Sequence, residues 1–110
     1  MRLLQLISLL FSGYVWANGV ALNYKVADVR IDRDGKGYVT FDQPLTRSPA
    51  GCGTAYPKSL SFDTTTAPGR AIYTMALAAH ISGKSITAEG TGTCPDYGVV
   101  EGWLLGIQAQ

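Results

Sequence analysis

The chain has 110 residues, 46% of them hydrophobic and 15% charged, with a formal net charge of +1. Such a balance lacks the basic footprint that nucleic acid or acidic lipid demands, so neither is expected as a partner. With 1 histidine and 2 cysteines, the chain also falls short of the ligand sets that metals need, and no cofactor is expected.

Residues 1–17 read as a secretory signal peptide. Arg2 precedes an apolar run from Leu3 to Phe11, and Val15 and Ala17 supply small residues before a cleavage point. The run is about half of the roughly 20 residues that span a bilayer, so no membrane span is expected. The remainder, residues 18–110, reads as one small exported domain, periplasmic or extracellular. Without Arg2 its charges balance, because the only ionic side chain of the leader is that arginine.

A domain this small buries a modest core and often takes a covalent staple or an oligomer for stability. Cys52 and Cys94, an even pair in an exported chain, favour a disulfide. The alternatives are two free thiols or half a metal site.

Residues 20–32 read as a long first strand. Val20, Leu22, Tyr24 and Val26 alternate in one phase, and Ala27, Val29 and Ile31 continue in the other. A bulge near Val26 and Ala27 reconciles the two phases. Residues 33–37 form a glycine-bearing turn, and residues 38–42 return as a second strand with Val39 and Phe41 inward. Asp32, Asp34 and Gly35 resemble the back half of a calcium loop. Arg30 stands where the first carboxylate belongs and no glutamate follows at the required distance, so a plain hairpin turn is the better reading.

Residues 44–57 make a loop rich in Pro, Gly, Ser and Thr that carries Cys52. A third strand follows over 58–64, with Leu60 and Phe62 inward. Residues 67–84 then read as the single helix of the domain. Thr66 or Ala67 can cap it, Pro68 fits the first turn, and Gly83 can close it in a left-handed conformation. At 100° per residue Ala71, Ile72, Met75, Ala78 and Ala79 share one face, while Tyr73, Leu77 and Ile81 share another. A helix this apolar all round predicts burial on two sides, the second face meeting either a loop of the same chain or another subunit. Residues 85–90 and 99–109 complete the strands, separated by a turn holding Cys94 and Pro95. Trp103 to Ile107 is apolar on both faces, which predicts a central or doubly covered strand.

Catalytic constellations are missing from the pattern. Gly83-Lys84-Ser85 is the tail of a phosphate loop, but Ala78 replaces its first glycine and the segment ends a helix. His80 has no nucleophile motif beside it, and a packed or surface role is expected. Glu89, Glu101 and Asp63 could meet across strands, yet they read as carboxylates on a solvated sheet face. No enzyme is expected. Tyr56, Tyr97 and Trp103 lie near the cysteine-bearing loops or on the last strand, where aromatics could stack on a sugar or a protein partner.

The order of signal peptide, three strands, helix, two strands and disulfide resembles the B subunits of bacterial AB5 toxins. The ending carries the likeness: the helical Ala71 to Ile81, a strand, Cys94-Pro95, then the strand over 99–109. The resemblance implies a five-stranded antiparallel OB-like barrel or curled sheet, mainly β with one helix between strands 3 and 4. It further implies a homo-oligomer whose helix lines a central pore, with glycan bound outside. This chain departs from that pattern in placing apolar Tyr73, Leu77 and Ile81 where the family carries charge. The function expected is a small secreted binding domain, glycan-binding and oligomeric. The alternative is a periplasmic structural or inhibitory protein that docks a protein partner.

Overall fold

The computed structural model describes residues 18–47 and 52–108, and the expected leader over 1–17 lies outside them. Among the described residues the domain is mainly β with one helix. Its elements are β1 (Val20–Tyr24), β2 (Val26–Ile31), β3 (Lys36–Phe41), β4 (Ser59–Asp63), α1 (Ala67–Ser82), β5 (Ile86–Gly90) and β6 (Glu101–Gln108).

Six strands, not five, form one sheet in the order β1-β5-β6-β4-β3-β2. The extra strand comes from the expected long first strand, which divides at Lys25. Its first half pairs with β5 and its second half with β3. Alternation along a chain cannot show that two halves of one extended run have different partners. The helix therefore follows the fourth strand instead of the third. The sheet is mixed where an antiparallel one was expected, since β4 and β6 run parallel through Leu60–Glu101 and Ser61–Gly102.

The ladder is open, because β1 and β2 are its two edges and do not pair with each other. They are nevertheless joined through Lys25 alone, which keeps their ends within about 7 Å. The sheet must curl to bring its edges that close. Lys25 and Asp42 lock the corner, with the Lys25 carbonyl accepting from Asp42 N at 3.0 Å and the Asp42 carboxylate accepting from Lys25 N at 3.1 Å.

Asn23 sits at φ 55°, a left-handed conformation that asparagine tolerates better than most residues. Register shifts there, and again between Val26 and Asp28 where the bulge was expected. The Asn23 irregularity moves Ala21 and Tyr24 into the core and leaves Leu22 64% exposed. On β2 the expected inward face is largely outward: Ala27 and Ile31 are exposed and Val29 is half-buried, whereas Val26 is buried.

Helix α1 begins and ends as its residues dictate. The Thr66 hydroxyl accepts from Gly69 N at 3.0 Å, Pro68 occupies the first turn, and Gly83 closes the helix at φ 71°. A Cβ on Gly69 would collide with the Asp63 carbonyl, so glycine lets the helix start lie directly on the end of β4. The face that docks is centred on Gly69, Ala76 and Ala79, with Ile72, Tyr73, Met75 and Leu77 half-buried. Ala71 and Ala78, expected inward, are exposed. Tyr73 packs its ring 5.6 Å from Phe62 of the same chain, while Ile81 is 77% exposed. The proposed oligomer face of Tyr73, Leu77 and Ile81 is thus divided between core and solvent. The small alanines let the helix approach β2, β4 and β6 closely.

Inside the curl, Phe41 stands between Tyr24 at 6.1 Å and Trp103 at 5.9 Å, over Val39, Leu60, Ile86 and Ala88. Fully burying Phe41, Leu60 or Ile86 contributes about 2–3 kcal/mol each. β6 is central, as expected, but not covered on both sides. Leu104, Leu105 and Ile107 remain exposed on its outer face.

Candidate binding site: a tyrosine cluster tied by the disulfide

Cys52 and Cys94 are bonded, with Cα atoms 6.2 Å apart. The bridge ties the loop before β4 to the turn before β6. Each loop carries one of the tyrosines singled out from sequence. In the first, Tyr56 N donates to the Gly53 carbonyl at 3.2 Å. In the second, Gly98 N donates to the Cys94 carbonyl at 3.1 Å, which closes the turn around Tyr97.

Both tyrosines meet Tyr38 of β3. The Tyr38 ring lies 5.5 Å from Tyr97, edge to face, and 6.0 Å from Tyr56. Arg30 stands opposite Tyr38 in the β2–β3 ladder, its guanidinium 5.1 Å from the ring centre. Nη1 donates to the Tyr38 hydroxyl at 2.9 Å, and Nε donates to Asp32 Oδ1 at 2.8 Å. The Tyr97 hydroxyl donates to Asp32 Oδ2 at 2.5 Å. Asp32 is itself placed by the hairpin, where its N–H donates to the Lys36 carbonyl at 2.6 Å and its carbonyl accepts from Gly35 N at 3.0 Å.

The electrostatics follow from these contacts. The Tyr97 hydroxyl, and then Arg30, hold the Asp32 carboxyl below its usual range. Burial and the neighbouring carboxylate push the Tyr97 phenol up, so it stays a protonated donor at neutral pH. Asp32 and Tyr38 likewise push Arg30 upward. The result is a fixed set of one anion, one cation and three phenols in partly solvated surroundings. Each Asp32 oxygen keeps a free lone pair and the guanidinium keeps free donors. This arrangement can accept, donate and stack. Its phenol and carboxylate are tuned away from neutral pH, which suits hydrogen bonding better than proton transfer.

Trp103, the third aromatic expected at a binding surface, is absent from the cluster. It is 6% exposed and belongs to the core, with its indole N–H unpaired among the described residues. One side of it walls a groove of about 290 Å³ between the start of α1 and the turn before β6. That groove also shows Phe62, Ile72, Pro95 and Asp96, whose Oδ2 accepts from the Ser61 hydroxyl at 2.7 Å. His80 lies apart from both places, its Nδ1 at 3.1 Å from the Val26 carbonyl. Among the described residues no cluster of three or more His, Cys, Asp or Glu could hold a metal, and no helix is long and apolar enough to cross a membrane.

Sequence reasoning missed Tyr38, Arg30 and Asp32 as members of the site. Arg30 and Asp32 were visible only as an imperfect calcium loop, and Tyr38 as an ordinary strand residue. The signal available was strand pairing: a tight turn at residues 33–37 puts Arg30 opposite Tyr38. No protein-family model, curated protein or solved structure matches the chain.

Proposed function

We propose that this is a small exported binding domain that recognises a sugar ring at the Tyr38–Tyr56–Tyr97 cluster. The observation that carries the reading is the convergence of three phenol rings from three segments beside a paired Arg30 and Asp32. A pyranose presents an apolar C–H face and a rim of hydroxyls. Aromatic rings combine apolar area with a polar handle, and a carboxylate–guanidinium pair supplies adjacent acceptors and donors. The disulfide holds two of the three segments before ligand arrives, which lowers the ordering cost of binding. Consistent with this role, the curled sheet with its parallel β4–β6 pair and helix between β4 and β5 supports an OB-like architecture, a scaffold that hosts oligosaccharide sites.

A glycan array probed with the processed protein tests the reading. Binding to a restricted set of glycans, abolished in Tyr38→Ala and weakened at least tenfold in Asp32→Asn, is the expected result. A blank array with folded protein overturns it.

A second reading is favoured by a separate observation. Leu22, Leu104, Leu105 and Ile107 are exposed on β1 and β6, the strands flanking β5. Apolar side chains grouped in this way mark protein contacts. The occupant that fits is a second copy, because the uncharged balance of the exported chain leaves no electrostatic barrier to self-association. A monomer by light scattering at 100-fold dilution series, unchanged in Leu105→Lys, would remove that reading.

A further inference from the structure

Glu101 opens β6 with only 1% of its surface exposed, and among the described residues no cation pairs with it. Its donors are all neutral. Gly19 N lies 2.9 Å from Oε2 and 3.1 Å from Oε1, and Gly92 N lies 3.0 Å from Oε2. The slot is shaped for this carboxylate, since a Cβ on either Gly19 or Gly90 would overlap it. Burial pushes the Glu101 carboxyl above its ordinary range, the glycine N–H groups pull it down, and Glu89 pushes it up again, with a net rise. A buried carboxylate without a counter-charge is costly to keep ionised.

The residue that feeds the slot is Asn18. Its Nδ2 donates to the Gly90 carbonyl at 3.0 Å, and Gly90 N donates to the Gly19 carbonyl at 2.9 Å, so the start of the domain is zipped to the end of β5. Asn18 is also the first residue after the Val15–Ala17 cleavage pattern. Successive backbone nitrogens lie no more than about 3.8 Å apart, which puts the Asn18 nitrogen within about 7 Å of Oε2.

We infer that the α-ammonium of Asn18, released by cleavage after Ala17, is the counter-ion of the buried Glu101 carboxylate, so that removal of the leader completes the fold. Hydrolysis of the Ala17–Asn18 amide by a leader peptidase consumes one water. It leaves a carboxylate on Ala17 and an amine on Asn18, which takes a proton from solvent. In the uncleaved chain the same nitrogen is a neutral amide and offers Glu101 no charge. The inference rests on the proposed export and is independent of glycan binding.

The test separates those two parts. The full chain is exported, purified and its N-terminus read by mass spectrometry. Asn18 as the first residue is expected, and any other start overturns the inference. The processed protein is then compared with its Nα-acetylated form. Acetylation should lower the melting temperature by several degrees in the native sequence and by less than about 1 °C in Glu101→Gln. An equal loss in both would sink the pairing while leaving the export reading intact. Should Glu101→Gln not fold, the pKa of the α-amine in the native protein decides: a value at least one unit above the ordinary 7.7–8.0 supports the pair, and an ordinary value overturns it.

Discussion

Removing the disulfide is the perturbation with the largest effect that the structure allows to be worked out. Cys52 and Cys94 are separated by 42 residues. Closing a loop of that size restricts the unfolded chain by about 4 kcal/mol on the chain-entropy account. A domain of this size holds roughly 5–13 kcal/mol in total, so Cys52→Ser/Cys94→Ser should be marginal. In urea, with a slope of about 1 kcal/mol per molar, the midpoint should fall by about 3–4 M. The melting temperature should drop by about 16 °C or more. Urea unfolding followed by tryptophan emission reads this well, because Trp103 packs against Phe41 at 5.9 Å and reports the core. The same variant frees the loop that sets Tyr56 beside Tyr38, so glycan affinity measured by calorimetry at a temperature where the variant is still folded should fall at least tenfold. A midpoint shift under 1 M would refute the reasoning: the loops would then be held by their own packing, and the bridge would not be what assembles the tyrosines.

Four further outcomes are expected. Tyr97→Phe deletes the hydroxyl that donates to Asp32 and should cost about 1 kcal/mol at pH 7 by urea unfolding. Asp32 has a depressed folded pKa, so its contribution is present above about pH 4 and disappears as pH falls through the folded value; the Tyr97→Phe difference should shrink as pH is lowered below about 4. Gly90→Ala drives a methyl into the Glu101 carboxylate and should destabilise by about 3 kcal/mol, whereas an alanine at exposed Thr93 should be near neutral in the same denaturation assay. Thr66→Ala removes the cap of α1 and should cost about 1 kcal/mol, read by the melting temperature, with Thr66→Ser restoring most of it. In the Nα-acetylated chain Glu101 keeps its raised folded pKa, so the folded state binds more protons than the unfolded one. Stability from this group should then decline as pH rises from about 4, with Glu89 as the facing charge, and Glu101→Gln should flatten that part of the profile.

Local chemistry explains why parts of this fold were legible in advance. Thr66, Pro68 and Gly83 act within one turn of their own positions, so the helix ends follow from neighbours along the chain. Val39, Phe41, Leu60, Phe62, Ile86 and Ala88 alternate in short strands where one face must leave water, and all are buried. The cysteine pair was readable because an even pair of cysteines behind an expected leader has few other uses.

Long-range pairing was not legible. The second half of residues 20–31 pairs locally with β3 across its hairpin, but the first half pairs with β5, more than sixty residues away, so one extended run became two strands at opposite edges. Ala79 of the expected helix face is buried, but Ala71 and Ala78 are exposed and Ala76 takes the core position, because alanine is apolar enough for either side and only the sheet beneath selects among them. Glu101 looked like a solvated charge, and only the approach of Gly19 from the start of the domain and of Gly90 and Gly92 from the end of β5 makes a slot for it. Residue order thus accounts for the helix, the strand cores and the covalent staple, all of which answer to nearest neighbours or to solvent. Folding in three dimensions chose the curl, the tyrosine cluster and the buried carboxylate, because each joins groups that no spacing rule along the chain relates.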